Sequence, residues 1–228
     1  MSDRRNGVSK APYTSLNVAT HVGDDAERVC KNREHLHRLL PGDVRIAWLN
    51  QVHGTRVVEA NVSTQTPAKA DALWTGDSSM ACAIMTADCL PVLFCDTQGR
   101  KVAAAHAGWR GLLEGVLPNT VTHMGSDHKQ LYAWIGPAIS QKNFEVGPEV
   151  RDAFLRHWSL EISDCFRPGV RKGAYLANLR GLAEVQLRAM GVSRITHDDR
   201  CSFDSVDALY SYRRDGVTGR NVSLIFRQ

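Results

Sequence analysis

The chain has 228 residues, 43% of them apolar and 23% charged, with 28 Lys and Arg against 24 Asp and Glu for a formal charge of +4. This balance excludes a disordered, fibrous or membrane-embedded protein and fits one folded domain spanning 1–228. The basic excess is spread along the chain, which suits an anionic small molecule and speaks against nucleic acid. Residues 1–7 lack the apolar stretch of a secretory signal, and no apolar run is long enough to span a bilayer, so a cytoplasmic location without membrane contact is expected. The six cysteines form no Cys-x-x-Cys pair and read as reduced thiols.

Residues 24–40 read as a helix, with Asp24 as N-cap, Glu27 three residues on, Val29, Leu36 and Leu40 on one face and Pro41-Gly42 as the stop. Residues 44–49 and 55–59 are short β-type runs flanking Asn50-Gln51-Val52-His53-Gly54, so His53 is expected in a turn at a strand end. The most apolar stretch supplies buried strands at 80–86, 90–95 and 102–105, with a turn at Asp96-Thr97-Gln98-Gly99. His106-Ala107-Gly108-Trp109-Arg110-Gly111 then places His106 and Arg110 at a strand-to-helix corner, and Pro118 should kink or restart the helix that follows. Leu131–Ile135 is a strand ended by Gly136-Pro137, Pro148 starts a helix running to about Trp158, and 175–190 form another helix stopped by Gly191. Late strands are expected at 193–196 and 222–226. Hairpin-like returns instead of strict alternation predict an α/β fold of the α+β kind, a mixed sheet with covering helices rather than a doubly wound parallel sheet.

Three segments combine reactive side chains with Gly or Pro at strand ends: 50–54, Thr86-Ala87-Asp88-Cys89-Leu90-Pro91, and 106–111. His53, Cys89 and His106 offer two imidazoles and a thiolate, a set zinc takes readily, and three protein ligands leave a fourth position open for water or substrate. The same residues suit a second chemistry, with Cys89 as a thiol nucleophile, His106 as its base and a glycine-turn N–H as oxyanion donor. Against both stands the ordinary reading, in which a lone His is a satisfied polar residue and a Cys in an apolar run packs as a small core side chain. Cys30, Cys82, Cys95, Cys165 and Cys201 are given that role. Arg110 at the corner is a guanidinium able to hold phosphate or carboxylate, whereas Arg213, Arg214 and Arg220 read first as a solvated charged turn. Trp74, Trp109 and Trp134 read as core rather than as platforms for a base.

Taken together, these segments with Ser15-Leu16-Asn17, His21-Val22-Gly23-Asp24, Ala70-Asp71-Ala72-Leu73, Ile135-Gly136-Pro137 and Ser211-Tyr212-Arg213-Arg214-Asp215 resemble the YfiH/laccase-domain family over nearly the whole chain. The resemblance implies a mixed fold similar to a bacterial (CNF-type) deamidase toxin domain and zinc bound by His53, Cys89 and His106. It further implies phosphorolysis of adenosine, inosine, guanosine and methylthioadenosine, with deamination of adenosine, so that purine nucleosides and phosphate are the expected partners. Cys89 and His106 would then be catalytic, Arg110 and less directly Arg213 would hold phosphate, and Asp88 is a candidate acid–base group. Rival readings are a copper-dependent polyphenol oxidase using the same ligands, a thiol hydrolase or peptidoglycan-precursor editing factor suggested by the deamidase-like fold, and a metal-stabilised binding module. A multicopper enzyme needs clustered histidine motifs, and the nine histidines show no His-x-His pattern beyond His35-Leu36-His37. Set against the resemblance, the sequence is expected to differ in a segment, with a strand, that relatives usually carry before the region matching residues 6–9, and in having Pro118.

Overall fold

Asp25 opens the first helix, its carboxylate accepting the Arg28 N–H at 3.0 Å. That helix, α1 (Ala26–His37), buries Val29, Asn32 and Leu36. The computed structural model describes residues 1–61, 67–158 and 161–228. After α1 come β1 (Arg45–Ala47), β2 (Leu49–Asn50), β3 (Val57–Glu59), β4 (Ala68–Lys69), β5 (Ala72–Thr75), β6 (Met80–Thr86), β7 (Leu90–Asp96) and β8 (Val102–Ala107). Helices α2 (Trp109–Glu114) and α3 (Val116–Met124) lead to β9 (Leu131–Ile135), β10 (Glu145–Val146) and α4 (Pro148–His157). The chain closes with β11 (Phe166–Pro168), β12 (Tyr175–Ala177), α5 (Leu179–Ala189), β13 (Arg194–His197), α6 (Tyr212–Asp215) and β14 (Asn221–Phe226).

The central sheet has the order β13-β9-β7-β8-β5-β3. Its inner pairs are antiparallel, while β13 and β3 join its two edges in parallel. A second sheet, β1-β6-β14, stands beside it, with β1 parallel and β14 antiparallel to β6. Strand β6 is buried at every position, as an unbroken apolar run requires when both faces are covered. Its alternation sorts those faces. Met80, Cys82 and Ile84 pack with Leu73, Val102 and Ala104 of the central sheet, whereas Ala83 and Met85 pack with Leu36 of α1 and Val222 of β14. The far face of the central sheet, with Val92, Phe94, Ala105 and Ile135, is covered by Leu112, Leu117, Val121, Phe154 and Leu182 from α2, α3, α4 and α5. The result is four layers, helix on sheet on sheet on helix, and the mixed α/β architecture expected from the sequence.

Several local expectations shift. The cap of α1 is Asp25 rather than Asp24, because the Asp24 carboxylate is engaged by the Ser9 hydroxyl at 2.6 Å and the Asn17 amide at 2.9 Å. The run 44–49 divides between β1 and β2, which belong to different sheets. The helix expected at 175–190 starts only at Leu179, where Asn178 caps it by accepting the Gly181 N–H at 3.0 Å. Residues 175–177 before it pair with β10 and β11. Beyond the 106–111 segment, the helix breaks at Gly115, whose φ of 93° is open to glycine, and restarts with Pro118 in the first turn of α3.

Candidate metal centre and its cleft

The three candidate ligands come from separate places: the loop between β2 and β3 carries His53, the turn between β6 and β7 carries Cys89, and β8 carries His106. Their side-chain donor atoms lie within 4.8 Å of one another, the one such cluster found among the described residues. Cys89 Sγ stands 3.9 Å from His53 Nε2, and the two imidazole rings meet edge to face with centroids 4.7 Å apart. His53 is exposed, Cys89 half-buried and His106 buried.

One buried carboxylate organises two of these arms. Asp71, just before β5, accepts the N–H of Val52 at 3.1 Å, of His53 at 2.9 Å and of Gly54 at 2.8 Å. A left-handed His53, with φ of 61°, lets the three successive N–H groups converge on one anion. Asp71 Oδ1 also accepts from His106 Nδ1 at 2.8 Å, which fixes the ring so that Nε2 is left for a ligand. Strand pairing supplies the register, since β5 and β8 run antiparallel with Ala72 opposite Ala105. Gln51 ties the same loop to β6: its side-chain amide donates to the Met85 carbonyl at 2.8 Å and accepts the Met85 N–H at 2.7 Å. Cys89 is placed by its neighbour Asp88, left-handed with φ of 95°, whose carboxylate accepts the Ser202 hydroxyl at 2.6 Å and the Arg213 N–H at 2.6 Å. Both Asp88 oxygens are therefore engaged in holding the turn, and the acid–base task considered for it from sequence would compete with these two bonds.

The electrostatics favour a thiolate. Burial pushes the Cys89 thiol up, but His106 and His53 outweigh it and the net shift is downward. Burial alone would lower His106, yet the Cys89 thiolate and the Asp71 carboxylate carry it upward. The donor set, two imidazoles and a ready thiolate, suits a borderline-soft divalent ion. Gly108 leaves the room: a Cβ there would sit 2.9 Å from His53 Cδ2 and 3.0 Å from Cys89 Sγ, filling the space between the arms. The 3.9 Å Sγ–Nε2 separation is close to the roughly 3.6 Å edge expected of a tetrahedral zinc site with Zn–S of about 2.3 Å and Zn–N of about 2.1 Å.

The cluster opens into a cleft of about 340 Å³, lined additionally by His21, Gln51, Met85, Thr86, Tyr212 and Arg220. The arginines sort differently from the sequence expectation. Arg110 is exposed on α2 with its guanidinium 4.3 Å from the centre of the Trp109 ring and does not line the cleft. Arg213 donates to the Glu145 carbonyl at 3.2 Å over the Phe144 ring, and Arg214 is tied to Asp215 and to the carbonyls of Ser202, Phe203 and Leu209. Arg220, read from sequence as part of a solvated turn, is the arginine that faces the cluster's cleft. Asp71 and Gln51 also escaped a role in the sequence reading, although an acid at the mouth of an apolar strand, Ala70-Asp71-Ala72-Leu73, was the available signal.

A four-layer mixed fold with a His–Cys–His cluster at a strand-end cleft defines a class, and the chain belongs to the family described as multi-copper polyphenol oxidoreductase laccase, which matches residues 1–228. Among its relatives is the purine nucleoside phosphorylase PA4543 of Pseudomonas aeruginosa, 46% identical over all of this chain and 92% of that protein. The purine nucleoside phosphorylase YfiH of Escherichia coli is 42% identical over 99% of this chain and 91% of its own length. The crystal structure of Neisseria meningitidis protein NMB0706 superposes with a TM-score of 0.95 at 46% identity, covering 99% of this chain and 92% of the other. YlmD from Geobacillus stearothermophilus gives 0.91 at 30% identity, covering 99% and 90%. No described helix is long and apolar enough to cross a membrane.

Proposed function

We propose that this chain is a zinc-dependent purine nucleoside phosphorylase, acting on adenosine, inosine, guanosine and methylthioadenosine, that also deaminates adenosine. The observation that carries the reading is the His53–Cys89–His106 cluster open to a cleft whose volume lies in the range of small-molecule sites, about 300–1,000 Å³. The names carried by relatives at 46% and 42% identity support the substrate class. Free cysteines throughout the described residues accord with a reducing, cytoplasmic setting.

Zinc at these three residues would supply a Lewis acid and a means of lowering the pKa of water toward neutrality. The chain's own contribution is placement. Asp71 holds the proton on His106 Nδ1 and keeps Nε2 toward the cleft. Met85, Ala87 and the Tyr212 ring offer apolar surface to a purine, and Thr86 and Gln51 give the wall polar groups.

The test measures metal content, chelator sensitivity and adenosine turnover, with and without phosphate, for wild type, Cys89→Ala and His53→Ala. About one zinc per chain is expected, lost with turnover in both variants while the protein stays folded. Full activity in His53→Ala with loss in Cys89→Ala, or indifference of the wild type to strong chelation, would transfer the cluster to thiol chemistry. Several tightly held coppers per chain would restore the oxidase reading.

A further inference from the structure

The second wall of the cleft is built from elements that hold no candidate metal ligand. Asn17 is buried in the N-terminal segment. Its side-chain oxygen accepts the Ala19 N–H at 3.0 Å and the Arg220 N–H at 3.0 Å, joining the segment before His21 to the residue before β14. Gly219 allows this closeness, for a Cβ there would lie 2.9 Å from Asn17 Cβ and 2.7 Å from the Tyr210 ring. Asn221 then pairs opposite Thr86, next to the turn that carries Cys89. Arg220 is thereby directed into the cleft by a buried hydrogen-bonded frame rather than left on a loose surface turn.

Its charge meets two carbonyl oxygens and, at 5.9 Å, the Tyr212 ring. Arg220 is half-buried, and its Nη1 donates to the carbonyls of Thr218 and Gly219 at 3.0 Å each. No carboxylate pairs with it among the described residues. Asp88, the acid that acts on it through space, accepts the Ser202 hydroxyl and the Arg213 N–H and makes no ion pair with it. Burial works against the Arg220 charge, and Cys89, Asp88 and Tyr212 offset part of that through space. His21 lines the same cleft, held below its ordinary pKa by burial and by Arg220. A half-buried guanidinium without an acid, beside an imidazole and facing a candidate metal cluster, is an arrangement completed by an oxyanion from outside.

We propose that Arg220 and His21 seat the phosphate co-substrate. This rests on the phosphorolysis reading and specifies where its anion binds. In the reaction a phosphate oxygen forms a bond to ribose C1′ as the C1′–N9 bond breaks. The bond pair leaves with the purine, and the proton released by the hydrogen phosphate balances the purine anion, giving ribose 1-phosphate and free base.

The experiment uses zinc-loaded wild type, Arg220→Gln, Arg220→Lys and His21→Gln. Inorganic phosphate binding is measured by calorimetry, and phosphate saturation is measured with inosine held fixed. Arg220→Gln should raise KM for phosphate about tenfold or more while KM for inosine moves less than about threefold, with zinc content unchanged. Arg220→Lys should recover part of the loss, and His21→Gln should show a smaller effect in the same parameter. If Arg220→Gln does not fold, the lysine and His21 variants carry the test, and an unchanged phosphate KM in both overturns the proposal. A folded Arg220→Gln with wild-type phosphate KM, or a wild type that binds no phosphate, also overturns it. If the wild type releases no purine with phosphate, the phosphorylase reading fails separately. Calorimetric phosphate binding that is lost in Arg220→Gln would then still establish the anion seat.

Discussion

Replacing Gly108 by alanine tests whether the space between His53, Cys89 and His106 is the coordination space. The backbone at Gly108, φ −64° and ψ 159°, is open to any residue, so alanine brings no backbone strain. The new methyl would stand 2.9 Å from His53 Cδ2 and 3.0 Å from Cys89 Sγ, where ordinary contact begins at 3.4 Å. Two of the three arms must therefore retreat by about 0.5 Å, more than the roughly 0.2 Å tolerance of metal–ligand distances. That disturbance is at least equal to losing an outer-shell partner, which costs about 10–100-fold in metal affinity. The fold should hardly notice. His53 is exposed, so its displacement disturbs no core packing. Loss of the glycine N-cap of α2 costs about 0.5–1 kcal/mol, and the stiffer unfolded chain returns about 0.4–1 kcal/mol. At roughly 2–4 °C per kcal/mol, the metal-free Tm should move by less than about 4 °C. The assay is zinc affinity by chelator competition, with calorimetric melting of the metal-free proteins. Wild-type zinc affinity and turnover in Gly108→Ala would refute the placement of the ion between these arms.

Asp71→Asn should cost about 3–5 kcal/mol in urea unfolding, since it removes the anion that three backbone N–H groups and His106 share; a loss under about 1 kcal/mol would contradict that account. Burial raises the Asp71 pKa, but His106 and the loop N–H groups bring it below the ordinary 3.8. Its contribution to stability is thus present above about pH 4 and fades as pH falls through the depressed value, and acid titration of Asp71→Asn should lack that limb. Cys89 should resist alkylation while metal is bound and react fast at neutral pH once it is stripped. Buried Cys82 and Cys165, whose pKa values burial raises, should stay inert in both states, and mass mapping of the adducts decides it. Gly111→Ala would press a methyl to 2.8 Å from the Gly54 carbonyl, so about 1–3 kcal/mol of destabilisation and weakened zinc retention are expected by melting and elemental analysis.

The donors of the candidate centre were legible in the sequence because each lies beside glycine or proline at a strand end, and the resemblance named the same three. What holds them was harder to read. Asp71 gathers the main-chain N–H groups of residues 52–54 and lies thirty-five residues from the histidine it orients, a pairing set by the β5–β8 register that no local spacing encodes. Arg110 was chosen for its place at the corner, yet a helical residue's direction depends on which face the core takes, and Leu112 and Gly111 took it. Arg220 was undervalued because a charged turn and an anchored guanidinium look alike until Asn17, two hundred residues away, is brought beside it. The expected helix at 175–190 failed at its start for a similar reason: Tyr175–Ala177 is claimed by β10 and β11, partners distant in sequence, and Asn178 marks the true beginning.

Because the His53 loop and the His106 ring both hang from one carboxylate, neither can be re-aimed alone. A change that tilts one histidine is transmitted to the other, so the pair behaves as a single rigid jaw. Cys89 is suspended independently, through Asp88, from Ser202 and the start of α6. Variation in what the cleft accepts is therefore freest on the wall next to the cysteine, formed by Met85, Ala87 and Tyr212. Directed libraries aimed at new substrates should draw their successful changes from residues around Met85, Ala87 and Tyr212 while leaving residues 51–54 and 71 untouched.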